Sequence, residues 1–387
     1  MRSSPFPEAL ILGCSIGMIG ITISQLFNYP VKLPVPGQPC VDFQWMYLAA
    51  RFALSGHLTE AYDYHLLSTV ARFFANGCVI EHVDYPPTLF LYITPFGLFY
   101  YWIAKVTWAA ITLTFFLVAL WRIVPGVRTV IAAFSLNPVF ANVTLGHNGF
   151  LTAGLFACML LAIENRPWLA GVFIGLLSYK PQFGILIPVA LVASGNWRTL
   201  ASAAISTIAF AVIAGMAFGF ESWIAFAHAL TDRATVLADA SSGTTWLCSI
   251  FSLLRDIEVS PRLAFAAQAI IILIAGMIVW RLWSRPIPHA LRAASLCVGA
   301  VIASPHVYPY DLTILLVAAA FIVRNGLTVF DKKSLFALWA CAMPLFLIGQ
   351  LGGGLILVIY TGMMALVLRR GARLTLPVSG NLTPASI

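Results

Sequence analysis

The chain has 387 residues, 60% of them apolar and only 9% Asp, Glu, Lys or Arg, against roughly a quarter charged in an ordinary soluble domain. At a mean hydropathy of +0.92, a soluble globule of this size has no means of covering its apolar surface, because much of any folded surface faces water. The balance excludes a soluble enzyme, a disordered chain and a disulfide-stapled secreted domain. It predicts an all-α integral membrane protein, since the apolar segments are too long and continuous for the alternating strands of a barrel.

The first apolar run, 9–27, is long enough to cross a ~30 Å hydrocarbon core and lacks a small-residue cleavage site, so it reads as a retained span rather than a signal peptide. A polar stretch follows, 28–87, with Pro30, Pro34, Pro36 and Pro39 and two short amphipathic pieces, 43–54 and 62–74. Both are expected to lie in the membrane interface. Beyond Pro87 the chain is nearly continuous membrane. The net charge of +8 sits in short basic clusters between apolar runs, the positive-inside pattern, which argues against a nucleic-acid partner.

Placing the N-terminus inside and counting 88–121 as one net crossing sorts the breaks cleanly. Arg122/Arg128, Arg166, Arg198, Arg281/Arg285, Arg324 with Lys332/Lys333, and Arg369/Arg370/Arg373 fall inside. All but Glu8, Glu164 and Asp331 of the 14 acidic residues fall outside. The sorting predicts one polytopic domain, 1–387, with about twelve net crossings and both termini cytoplasmic. Its long extracytoplasmic loops are 28–87 and 219–261. Lys105 lies within 88–121 at a depth the sequence leaves open.

Two apolar segments, 169–179 and 183–193, are too short to span alone and meet at Lys180-Pro181-Gln182. Proline ends a helix, and a lysine at membrane depth costs on the order of 2.5–3.5 kcal/mol. A broken helix carrying a charge points to a water-accessible cavity; the alternative is a lysine snorkelling to headgroups from a helix end.

The groups able to do chemistry gather on the predicted outer side: Asp42, Asp84, His147, Lys180, Gln182, Arg233, Asp239, His306 and Asp311. Asp42 opens the first amphipathic piece, as either a helix cap or a general base. In Asp84-Tyr85-Pro86-Pro87 the prolines are pre-set to start a helix, and Tyr85 suits an aromatic belt or a sugar face. Glu81, His82 and Asp84 lack the spacing of a structural zinc site, so no metal is assigned. His147-Asn148-Gly149 and Ser304-Pro305-His306 break the chain on the Lys180 side, where His and Lys suit a phosphate. Asp311, after Tyr308-Pro309-Tyr310, would orient His306 or cap the next helix. The run Ser241–Trp246 reads as a flexible loop or a lid. Cys40 and Cys78 share the outer loop, where a disulfide between them is a hypothesis.

Several of these pieces in order are similar to a known family. Asp42-Phe43, Tyr47 and Ala49-Ala50 open the outer loop, followed by Tyr85-Pro86-Pro87, Gly146-His147-Asn148-Gly149, a run from Leu169 to Tyr179-Lys180-Pro181-Gln182, and Ser304-Pro305-His306. Together they resemble glycosyltransferase family 87, the polyprenyl-phosphate-mannose-dependent mannosyltransferases of GT-C fold, over roughly residues 40–315. The resemblance implies inverting sugar transfer from a polyprenyl phosphate at the outer face of a bacterial inner membrane. Asp42 would be the catalytic base, and Lys180 and His306 would stabilise the leaving phosphate. Asp84, Tyr85, His147, Asn148, Gln182 and Asp311 would contact substrate. No cofactor and no metal is implied; the partners are the donor, a lipid or glycan acceptor and membrane lipids. The competing expectation is a transporter of a lipid-linked sugar, which predicts polar groups on both faces and an internal repeat.

Overall fold

A computed structural model describes residues 10, 12–18, 20, 42–74, 80, 83–239, 247–342 and 352–375. Most of the first apolar run, the Cys40 and Cys78 pair, Glu81, His82 and the 241–246 run lie outside the described residues, as do the side chains of Arg233 and Asp239. Among the described residues all regular structure is helical.

The principal helices are α1 (Asp42–Leu54), α2 (Tyr64–Phe74), α3 (Tyr101–Ile123), α4 (Asn137–Leu145), α5 (Gly149–Ala162), α6 (Pro167–Leu176), α7 (Ile187–Ala193), α8 (Trp197–Phe218), α9 (Glu221–Asp239), α10 (Pro261–Trp283), α11 (His289–Ala303), α12 (Thr313–Arg324), α13 (Val329–Ala342) and α14 (Gly352–Thr375). Prolines start several of them, at the first position of α6 and α10, where the missing N–H has no intrahelical partner to lose.

Among the described residues three helices, α3, α8 and α10, are long and apolar enough to cross a membrane. Each turns large apolar side chains outward: Val106 and Val118 on α3, Ile205, Ile208 and Met216 on α8, Leu263, Leu273 and Met277 on α10. A soluble protein would not expose such stripes; a hydrocarbon solvent favours them.

Inside this shell α5, α11 and α12 are apolar all round and buried along nearly their whole length, the mark of core helices. Their ends are chemically unequal. At one end lie His147 and Asn148 before α5, Ser304–His306 after α11 and Asp311 before α12. At the other lie Glu164, His289, Arg292 and Arg324, with Arg292 Nη2 3.3 Å from Glu164 Oε1. Helices of 12 to 15 residues separate these ends by about 20 Å.

The close approach of α6 and α8 follows from small residues. A Cβ at Gly171 would collide with Ser202, and one at Gly175 with Ser206. Each helix thus offers small residues four apart to its neighbour, and Ser202 Oγ donates to Trp168 O at 2.7 Å.

Two elements differ from the sequence reading. α1 was expected to lie in the interface with one face wet; instead Phe43 to Ala50 are all buried. The helix carries only Asp42 and Arg51 as charges, and it is enclosed by α2, α3, the 58–62 turn and the 94–98 turn. The 219–261 stretch, read from sequence as a loop, carries helix among its described residues, at α9 and at Ile250–Asp256, and α9 rests on Tyr62 through Phe226, with ring centroids 6.1 Å apart.

Replacing Gly175 with Leu should overpack the α6–α8 contact and lower stability by about 1–3 kcal/mol or more. Thermal unfolding of the purified protein in detergent checks it, with Gly184→Leu, where a Cβ meets nothing within 4 Å, as the tolerated control.

Candidate active site

The broken segment ends α6 in a 3-10 turn at Leu177–Tyr179, turns at Lys180 and resumes at Pro181–Gly184 before α7. Lys180 neither snorkels nor lines open solvent. It is 1% exposed, and its Nζ lies 2.5 Å from Asp311 Oδ1. Around the ammonium stand the rings of Tyr85, Phe183 and Tyr310, 5.4 to 5.7 Å from it, close enough for cation–π attraction.

Asp311 has two tasks. Its other carboxylate oxygen accepts the Tyr308 N–H at 3.1 Å, which fixes the turn Pro309–Leu312 that starts α12. Of the two roles the sequence left open for Asp311, orienting His306 or capping the next helix, the structure shows the cap; His306 faces a different carboxylate, its Nε2 3.8 Å from Asp84 Oδ2.

The Gly146-His147-Asn148-Gly149 turn is where three elements meet. Gly146 has φ +67°, a left-handed conformation that closes α4 and favours glycine. A Cβ there would stand 2.7 Å from Phe43 Cβ, and one at Gly149 would stand 2.5 Å from Asn142 Oδ1 and Tyr310 O. The glycines therefore let α1 and the Tyr310 turn close onto α4. Between them His147 stacks on Tyr310, centroids 3.6 Å apart, and its Nε2 is 3.1 Å from Tyr85 Oη. Tyr85 in turn stacks on Trp45 of α1 at 5.4 Å. The Asn148 amide lies against the Tyr85 hydroxyl; among the described residues it makes no well-formed hydrogen bond, and neither does His147 Nδ1.

Asp42 completes the cluster from the first loop. Protein packed around its carboxyl pushes the pKa up to about 7; Lys180 opposes that rise, Asp311 adds to it, and a hydrogen bond from the Trp45 side chain and the charge of Lys105 lower it. A carboxylate poised near neutrality is suited to take a proton. Gln182 stays at the edge, half-buried one residue past the break. Among the described residues no three His, Cys, Asp or Glu side chains converge as metal ligands.

Beside the break an apolar groove of about 510 Å³ runs between the α6–α7 segment and α8, lined by Leu177, Pro181, Ile185, Pro188, Ala204 and Ile208 among others. Its wall includes the residue next to Lys180.

The sequence model of glycosyltransferase family 87 matches residues 83–305. The chain belongs to that family. It is a membrane glycosyltransferase, acting on a sugar donor and an acceptor. Neither a curated protein nor a solved structure matches it. The matched span contains Asp84, Tyr85, His147, Asn148, Lys180 and Gln182, whereas Asp42, His306 and Asp311 lie outside it and join the cluster through the fold. Lys105 and Trp45 are the neighbours that sequence reasoning did not place; a lysine within an otherwise apolar stretch was the one visible signal for Lys105, and no sequence signal singled out Trp45.

Breaking the buried pair on one side, as in Asp311→Asn or Lys180→Met, should destabilise the fold by about 3–5 kcal/mol. The double variant should recover part of that loss. A thermal-unfolding double-mutant cycle measures the coupling.

Proposed function

We propose that this chain transfers a hexose, mannose in our reading, from a polyprenyl phosphate to a lipid or glycan acceptor at the extracytoplasmic face of a bacterial inner membrane. The observation that carries the reading is the convergence of Asp42 with the Lys180–Asp311 pair and the Tyr85–His147–Tyr310 ring cluster, beside an apolar groove. In this reading the chain makes about twelve crossings with both termini cytoplasmic, which the gathering of site groups at one helix end and of basic residues at the other supports.

The acceptor hydroxyl attacks the anomeric carbon from the face opposite the phosphate. The C–O bond to phosphate breaks, its electron pair leaves with the polyprenyl phosphate, and the hydroxyl proton passes to Asp42. One displacement inverts the anomeric centre. A lipid phosphate is a weakly basic leaving group and calls for fixed positive charge rather than a general acid. Lys180, shared with Asp311, and His306 at the partly exposed rim supply it. Asp84, His147 Nδ1 and Asn148 meet sugar hydroxyls, with the Tyr85–Trp45 pair as an apolar face. Gln182 meets the donor where the break opens on the groove, and the groove takes the first isoprene units.

The test is transfer by purified protein in nanodiscs, from radiolabelled polyprenyl-phosphate-mannose to a membrane-lipid extract. Wild type should transfer, and Asp42→Asn should lose about 10²- to 10⁴-fold in rate while still binding donor. Because Asp42 must be ionised to accept a proton, the rate should fall as pH drops through about 7, tenfold per unit well below it. Near-full activity in Asp42→Asn would remove it as the base. Donor binding without transfer from any polyprenyl-phosphate sugar would favour a transporter.

The groove makes a separate prediction. Ala204→Trp should raise KM about tenfold for a long-chain donor and leave a donor truncated to one or two isoprene units nearly unaffected. Equal effects on both donors would place the tail elsewhere.

A further inference from the structure

Lys105 is a buried cation that the reaction above leaves unused. It lies on the first turns of α3, 2% exposed, four residues after Tyr101, whose ring packs on Phe43 and Tyr47 of α1 at 5.7 and 5.4 Å. Its Nζ donates to Thr144 O at 2.8 Å, a carbonyl in the last turn of α4, where the helix dipole favours a cation. Its Cε stands 3.4 Å from where a Cβ on Gly146 would be, and that same point is 2.7 Å from Phe43 Cβ. Lys105, Gly146 and Phe43 are thus wedged together, and the residue before Phe43 is Asp42.

A neutral carbonyl does not offset the desolvation of an ammonium; a buried charge needs an opposite charge within reach. Charge counting supplies one. Asp311 is matched by Lys180 at 2.5 Å, and Lys105 and Asp42 attract each other across the α1–α3 contact. Among the described residues, the ionisable groups in the field of Asp42 are Lys180, Lys105, Asp311, and the Tyr85 and Tyr310 hydroxyls. Of the two cations, Lys180 is shared with Asp311 and, in the proposed reaction, with the donor phosphate. Lys105 is the one not assigned to the donor.

We propose that Lys105 is a positioning residue for the transfer: held by Thr144 O and seated behind Phe43, it keeps Asp42 a carboxylate, ready to accept the hydroxyl proton, while Lys180 serves the departing phosphate. The inference rests on Asp42 being the base. It makes Lys105 a determinant of the pH at which the enzyme switches on, and not of donor affinity.

The test is the pH dependence of kcat and KM for Lys105→Gln, with polyprenyl-phosphate-mannose and the membrane-lipid extract. Gln keeps a donor for Thr144 O and removes the charge. Lys105→Met serves as a second neutral variant if Gln does not fold. The acidic limb should move up by about one pH unit, within the range an opposite charge normally shifts a carboxylate. At pH 6, kcat should fall about tenfold, with recovery towards wild type by pH 9 and KM for donor unchanged. A loss equal at every pH, or an unmoved limb, would reduce Lys105 to a helix-packing residue. A raised donor KM with an unmoved limb would make it a phosphate ligand instead. Asp42→Asn run alongside separates the two levels: if that variant is inactive and the Lys105→Gln limb does not move, only the Lys105 assignment fails. If Asp42→Asn remains active, the base assignment fails and the Lys105 inference with it.

Discussion

The buried pair between Lys180 and Asp311 is the constraint on which the rest of the site depends. A lysine that is 1% exposed is tolerable only with its charge matched at hydrogen-bond distance. Satisfying it pins the break after α6 to the turn before α12, parts of the chain 131 residues apart. The same carboxylate holds the Tyr308 N–H, so the Tyr308–Leu312 turn has one permitted position. Tyr310 then stacks on His147, His147 meets Tyr85, and Tyr85 stacks on Trp45 of α1. The ion pair thereby locates the floor of the site, and the rings carry that location up to the loop bearing Asp42.

The helix ends explain why a membrane protein collects its polar chemistry here. Inside hydrocarbon every backbone group must be bonded within a helix, so irregular backbone is confined to places covered by protein or facing a cavity. The breaks at Lys180, at Gly146–Gly149 and at Ser304–Asp311 are such places, and antiparallel packing of short core helices brings them to one end. Glycines make the convergence sterically possible, Gly146 by its left-handed backbone and Gly149 by its missing Cβ. The lipid-linked donor of the proposed reaction would suit this design. Its phosphate needs fixed charge in a partly dry site, where charges act more strongly than in water, and its tail needs an apolar wall, which the groove beside Pro181 offers.

Individual residues show how far the pattern was readable in advance. The Lys180-Pro181-Gln182 break was legible because proline and a charge interrupt apolar runs too short to span. Asp42, His147, Lys180 and Asp311 were legible as members of one face because basic residues mark the other. What Lys180 binds was not: a cavity and a snorkel were both compatible with its neighbours in sequence, and its partner is 131 residues away. The burial of α1 was missed because its two charges suggested a wet face, when its Phe, Trp, Met and Tyr side chains all find partners on elements that follow it in the chain. The choice of Asp84 over Asp311 as the neighbour of His306 was equally beyond local pattern.

The sequence by itself determined the solvent, the helical class, the breaks and the family, because these follow from local quantities: hydropathy over a span's length, prolines and glycines at fixed spacing, and motifs in order. The tertiary structure alone decided which charges neutralise one another, that Lys105 is buried against Thr144 O rather than turned toward lipid, and that a groove opens next to the break. Those outcomes depend on long-range packing. Charge matching in a low dielectric acts through space, and a linear pattern records neither distance nor enclosure.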